Sequence, residues 1–205
     1  MIQWDGRVPT RPPFPGMEDV FADNFRRLGA AVPDDVELGF HLCYGDLDAK
    51  HFIEPVDATK MVELANLITR SVSRPITWLH MPVPIDRTDD AFYTPLKDLR
   101  LHPETELYLG LVHAQDGVEG TRRRIETAKK YAPSFGIGSE CGISRGRDRN
   151  LALEFIKDVC RSRRSGGVAR RYPDLNRDLN FLSTDMAMNL FRARATKATT
   201  SCRTS

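Results

Sequence analysis

Residues 38–46 read Leu-Gly-Phe-His-Leu-Cys-Tyr-Gly-Asp, an apolar strand pattern that ends on a histidine and a cysteine two positions apart. Residues i and i+2 of a strand point to the same face, so His41 and Cys43 can direct an imidazole nitrogen and a sulfur at one point. A soft metal ion such as zinc takes these donors. A histidine and a cysteine that are simply buried at a strand end would give the same pattern. Further ligands must therefore come from elsewhere in the chain.

A first strand is predicted over residues 36–43, and three more apolar segments are predicted as strands, at residues 75–81, 107–113 and 135–141. Helical spacing of apolar residues fills each gap between strands. The predicted helices cover residues 17–28, 119–131 and 149–159, and another begins after Asp57. Apolar strands that alternate with helices favour a parallel sheet of the α/β class, either a barrel or an open sheet.

The charge distribution divides the chain of 205 residues into two parts. Residues 1–160 hold 20 Lys/Arg and 25 Asp/Glu, whereas residues 161–205 hold 10 Lys/Arg and 3 Asp/Glu. We expect one α/β domain over residues 1–160, and a basic extension over residues 161–205 that is partly helical or disordered. The extension contains no nucleic-acid recognition motif, so a nucleic-acid partner is not expected.

The cellular setting is predicted from cysteine usage and from the absence of long apolar runs. The four cysteines are widely spaced, which does not fit a dense disulfide framework. No apolar run approaches the ~20 residues that span a membrane, and the amino terminus lacks a secretory pattern. We expect a cytoplasmic protein without a membrane partner.

Side chains that can bind a metal recur where the predicted strands end: His41 with Cys43, then His80, then His113, and then Glu140 with Cys141. The carboxyl ends of parallel strands meet at one edge of the sheet, where α/β proteins build their sites. Each histidine could instead be satisfied by a local hydrogen bond. Taken together, the strand ends predict a zinc site formed by His41, Cys43 and Cys141, with His80 or Glu140 as the fourth ligand.

The segments His41-Leu42-Cys43-Tyr44 and Glu140-Cys141-Gly142 resemble the zinc-binding pattern of the cobalamin-independent methionine synthase family. The resemblance spans residues 36–147. That family belongs with the uroporphyrinogen decarboxylase-like (β/α)8 barrels. In it, zinc holds the thiol of homocysteine as a thiolate, which attacks the methyl group of a folate donor.

The resemblance implies roles for individual residues. His41, Cys43 and Cys141 match the family's zinc ligands, and His80 stands where the family has a glutamate ligand. The family's catalytic histidine lies in an Asp-x-His-Ser-Pro stretch, where this chain reads His-Ala-Gln-Asp-Gly from residue 113. His113 is therefore the candidate catalytic residue.

The number of strands indicates only part of such a barrel. A (β/α)8 barrel needs eight strands and about 250 residues, whereas this chain offers four predicted strands and a short remnant of a fifth at residues 2–4. The resemblance therefore implies the C-terminal half of a TIM-type barrel, whose open edges would favour a homo-oligomer or pairing with a missing N-terminal half.

Three functions follow from these patterns. The first is zinc-dependent methyl or alkyl transfer to a small-molecule thiol. The second is a non-catalytic partial barrel that associates with itself or with another chain. The third and weakest is a metal-free, uroporphyrinogen decarboxylase-like lyase, which would need an anionic-substrate cavity lined by arginines such as Arg145 and Arg147.

Overall fold

The computed structural model describes residues 1–10, 12–45 and 51–141, together with Asn150, Leu153 and Lys157. These last three residues are helical and fall within the helix predicted at 149–159. The predicted boundary after residue 160, the basic extension at 161–205, and Arg145 and Arg147 lie outside the described residues.

Strands and helices alternate as the sequence predicts. The helices are α1 (Ile2–Asp5), α2 (Met17–Ala31), α3 (Thr59–Ser71), α4 (Asp90–Tyr93) and α5 (Gly117–Ala128), with a 3₁₀ helix at Thr94–Asp98 after α4. The strands are β1 (Gly39–His41), β2 (Trp78–Pro82), β3 (Glu106–Val112) and β4 (Gly136–Ser139). Among the described helices, none combines the length and the apolar character that crossing a membrane requires.

The four strands form one parallel sheet in the order β1-β2-β3-β4. This confirms the predicted parallel α/β sheet. Because all three pairings are parallel, the carboxyl ends of the four strands lie at the same end of the sheet. The register also pairs His41 directly with His80, which brings two of the predicted site residues side by side.

One face of the sheet supplies the core. Alternate residues of the strands point to this face and are buried, because a strand repeats its side-chain direction every two residues. They are Leu79, Met81, Leu107, Leu109, Leu111 and Ile137. Helix α3 packs its buried face into the same cluster through Met61 and Ile68, and α5 contributes Ile125.

The opposite face of the sheet carries aromatic rings that lie over glycines. A Cβ on Gly39 would lie 2.0 Å from the ring of Trp78, and a Cβ on Gly136 would lie 2.4 Å from the ring of Tyr108. Such distances are too short for real atoms, so both positions require glycine. Because these two glycines carry no side chain, the ring of Trp78 in β2 can lie over β1, and the ring of Tyr108 in β3 can lie over β4.

Two local predictions are corrected by the structure. The strand remnant at residues 2–4 is wrong, because these residues belong to α1, whose Asp5 amide donates to the Met1 carbonyl at 2.8 Å. The first strand was predicted over residues 36–43 but spans only Gly39–His41. One backbone bond continues the ladder past its end, from the Leu42 amide to the His80 carbonyl at 2.9 Å, so Cys43 lies just beyond the strand.

Candidate metal centre

Three of the predicted ligands meet at the carboxyl edge of the sheet. The ligand atoms of His41, Cys43 and Cys141 all lie within 4.8 Å of one another. The two sulfurs are 2.9 Å apart, and His41 Nε2 lies 3.4 Å from the sulfur of Cys141. His41 ends β1, Cys43 follows it, and Cys141 lies two residues after β4, so the group joins the first and last strands of the sheet.

This donor set fits a zinc ion that keeps one position open. Catalytic zinc sites use three protein ligands of nitrogen, sulfur or oxygen, and a water or substrate in the fourth position. Tetrahedral bonds of about 2.3 Å to sulfur and 2.0 Å to nitrogen separate two sulfurs by about 3.8 Å, and a sulfur from a nitrogen by about 3.6 Å. The His41–Cys141 distance already agrees with this geometry. The two sulfurs would move apart by slightly under 1 Å.

The surroundings of Cys43 favour its thiolate. The pKa of Cys43 is lowered from 9.0 to about 4, mainly because of the hydrogen bond between its sulfur and that of Cys141, with smaller contributions from His41 and Gly45, while burial acts in the opposite direction. The Gly45 amide donates to the sulfur at 3.2 Å. Gly45 has φ 94°, a conformation that favours glycine and turns its N–H back towards Cys43.

The lowered pKa predicts an unusual pH dependence for alkylation of Cys43. In metal-free protein, iodoacetamide should modify Cys43 at a nearly constant rate from pH 8 down to about pH 5, because the thiolate is the reactive form. A thiol with an ordinary pKa would slow about tenfold for each pH unit below 8. Mass spectrometry of the peptide that contains Cys43 measures the rate.

Cys141→Ala provides the matched comparison, since it removes the hydrogen bond that lowers the pKa most. Its alkylation profile should move to higher pH. An ordinary thiol profile in the unsubstituted protein would contradict the prediction.

His80 contacts the group without belonging to it. Its Nδ1 lies 2.8 Å from Nδ1 of His41, and its Nε2 lies 3.0 Å from the carbonyl oxygen of Ser139. Burial, and secondarily His41, lowers the pKa of His80 to about 4, so the imidazole is neutral at pH 7. In this structure His80 is therefore a neighbour of a ligand, and its predicted role as the fourth ligand stays a prediction.

His113 is buried and contacts Glu140. Its Nε2 lies 2.7 Å from the Val83 carbonyl oxygen, and its Nδ1 lies 3.1 Å from Oε2 of Glu140. The carbonyl only accepts, so Nε2 carries a proton and donates. Since the side chain is 1% exposed, His113 reaches the site through Glu140, the residue before Cys141.

An ion pair between buried Arg124 and partly buried Asp116 connects α5 to the carboxyl end of β3. The side chain of Arg124 is fully buried. It donates to both carboxylate oxygens of Asp116 at 2.7 Å, to the Leu111 carbonyl at 2.8 Å and to the Ile85 carbonyl at 2.7 Å. The pair thus ties α5 to β3 and to the loop after β2.

Sequence reasoning missed the groups that support the ligands. The Gly45 amide, the Ser139 carbonyl and the Asp116–Arg124 pair were not singled out. The burial of Arg124 could be inferred from helical spacing. Arg124 lies three residues after Thr121 and four before Ala128, both on the buried face of α5. No sequence pattern indicates the contact of the Ser139 carbonyl with His80, because only the sheet register brings the two together.

Comparison with known proteins adds no relative. Neither family models, nor curated sequences, nor solved structures match this chain.

Proposed function

We propose that the chain binds zinc through His41, Cys43 and Cys141 and uses it to activate a small-molecule thiol for methyl or alkyl transfer. The observation that carries the proposal is the convergence of one imidazole nitrogen and two sulfurs. These atoms come from the two edge strands of the sheet or the residues just after them, and they lie within 4.8 Å of one another. Zinc, when bound, supplies the positive charge that holds a thiol as its thiolate at neutral pH.

The chain's own residues provide binding and charge. Two cysteine thiolates and one neutral histidine would balance the 2+ charge of a bound zinc ion, and three protein ligands would leave room for a substrate sulfur. The substrate thiolate would attack the alkyl carbon of the donor, forming a sulfur–carbon bond while the leaving group departs with the electron pair of the broken bond. That leaving group then needs a proton, and the candidate donor is His113, which contacts Glu140, the residue before Cys141.

The fold supports a barrel origin for this site. The strand order runs β1-β2-β3-β4 without the reversal that defines a doubly wound sheet. Helices α3, α4 and α5, with the 3₁₀ helix, follow one another in contact. We propose that the chain is part of a (β/α)8 barrel similar to the methionine synthase family, in which His80 replaces the family's glutamate and leaves the site with one negative charge fewer.

Thiol binding by the cobalt(II)-substituted protein tests the proposal. Addition of homocysteine should increase the sulfur-to-cobalt charge-transfer absorbance in the near ultraviolet and release about one proton per thiol bound, because the bound form is the thiolate. Methionine is the matched control, since its methylated sulfur has no proton to lose. An unchanged spectrum at saturating homocysteine would remove the basis for thiol activation.

The open edges of the sheet favour a second candidate, a partial barrel that associates with another chain. Among the described strands, β1 and β4 each pair with one neighbour only, and exposed strand edges are templates for pairing. Sedimentation velocity separates the two candidates: a metal-free dimer or higher oligomer supports association without catalysis.

A further inference from the structure

The ring of His80 packs against glycines of the two following strands. Its ring extends from β2 across β3 to β4. A Cβ on Gly110 would lie 3.1 Å from His80 Cε1, and a Cβ on Gly138 would lie 3.1 Å from His80 Nε2. The absence of side chains at both positions therefore gives the ring room to reach the Ser139 carbonyl.

The Ser139 carbonyl determines which nitrogen of His80 carries the proton. A carbonyl oxygen only accepts, so Nε2 of His80, 3.0 Å away, must donate. In a neutral imidazole the other nitrogen is then an acceptor. Nδ1 of His80 therefore presents a lone pair to the ring of His41.

The contact with His80 determines which nitrogen of His41 carries the proton. Its Nδ1 lies 2.8 Å from the accepting Nδ1 of His80, so it must carry a proton and donate. The remaining nitrogen of His41, Nε2, then has a lone pair, and this is the atom 3.4 Å from the sulfur of Cys141. A metal requires a histidine nitrogen without a proton.

We propose that His80 is a positioning residue that keeps the proton of His41 on Nδ1 and so presents Nε2 of His41 as the ligand atom. This role builds on the proposed metal site and differs from the fourth-ligand role expected from the sequence. Outer-sphere partners that orient a ligating histidine are usually carboxylates, carbonyls or water. Here a second imidazole, itself oriented by a backbone carbonyl, takes that place.

Imidazole nitrogen-15 spectra of the metal-free protein test the proton positions directly. In the unsubstituted protein, Nδ1 of His41 should have the chemical shift of a protonated nitrogen and Nε2 that of an unprotonated one. His80→Leu removes the acceptor, so the proton of His41 should move largely to Nε2. His80→Asn places an amide oxygen near the position of Nδ1 and should keep the proton of His41 on Nδ1.

Zinc affinity provides the second measurement. His80→Leu should weaken zinc binding about 10- to 100-fold, the usual cost of losing such a partner, and His80→Asn should recover most of that loss. His102→Leu is the matched control, because it also removes an imidazole that contacts a backbone carbonyl, that of Thr69 at 3.2 Å. It should leave zinc affinity unchanged.

The outcomes separate this role from the metal site itself. A proton on Nε2 of His41 in the unsubstituted protein would overturn the proposal, and so would a His80→Leu variant with unchanged spectra. Equal loss of zinc affinity in His80→Leu and His80→Asn would also overturn it, because it would identify His80 as a ligand. Absence of zinc binding with the proton on Nδ1 would contradict the proposed function but leave the positioning of His41 intact.

Discussion

Replacing Asp116 with alanine is expected to lower the free energy of unfolding by about 3–5 kcal/mol, the usual cost of removing one partner of a buried ion pair. Arg124 is fully buried and cannot lose its proton at accessible pH. Without Asp116 its charge would remain buried, and among the described residues its hydrogen-bond partners would be the carbonyls of Leu111 and Ile85. Denaturant unfolding followed by circular dichroism measures the change.

Glu119→Ala is the matched control for this prediction. Glu119 is a carboxylate on the same helix and pairs with Arg122 at 2.9 Å, but its side chain is 72% exposed. Exposed pairs of this kind contribute about 0–1 kcal/mol. If Asp116→Ala and Glu119→Ala cost the same, the Asp116–Arg124 pair does not anchor α5.

A double replacement separates charge burial from loss of packing. Asp116→Leu combined with Arg124→Met replaces the pair by apolar side chains, an exchange that is often neutral or stabilising. The double variant should therefore be more stable than Asp116→Ala. The two carbonyls that Arg124 satisfies would still lose their donor, so we do not expect full recovery.

The second large effect is expected for Cys141→Ser, which should weaken zinc binding by more than about 100-fold. This exceeds the 10- to 100-fold cost of losing a neighbour of a ligand, because a thiolate that contacts the ion directly is lost. Cys141 is also the candidate ligand that follows β4. Its loss leaves His41 and Cys43, which lie at β1, on the other edge of the sheet. Competition with a chromogenic chelator measures the affinity.

Cys202→Ser is the control for loss of a cysteine, since the sequence places Cys202 outside the set of strand ends. Its zinc affinity should equal that of the unsubstituted protein. Equal affinities of Cys141→Ser and Cys202→Ser would show that zinc binds elsewhere.

The sequence predicted the strand-helix alternation and the ligand group because both leave local signals. Apolar runs such as residues 107–113 differ clearly from the amphipathic spacing of the helix that follows Asp57. The strand ends carry the metal-binding residue types, and parallel pairing places these ends on one edge. His41, Cys43 and Cys141 could therefore be grouped from three separate segments.

The register and the support of the ligands could not be predicted in the same way. Only the pairing of His41 with His80 across β1 and β2 shows that these rings meet, and hydrogen bonds between strands leave no local pattern. The three-residue length of β1 depends on its pairing with β2. The short helix α1 contains four residues, too few for helical periodicity to be visible.

The measurement that most directly tests the central claim is the zinc X-ray absorption spectrum of the protein loaded with one equivalent of zinc. We predict two sulfur neighbours at about 2.3 Å and at least one imidazole nitrogen at about 2.0–2.1 Å, with one sulfur lost in Cys141→Ser. A first shell of oxygen and nitrogen alone, unchanged in Cys141→Ser, would contradict the assignment of His41, Cys43 and Cys141 as a metal centre.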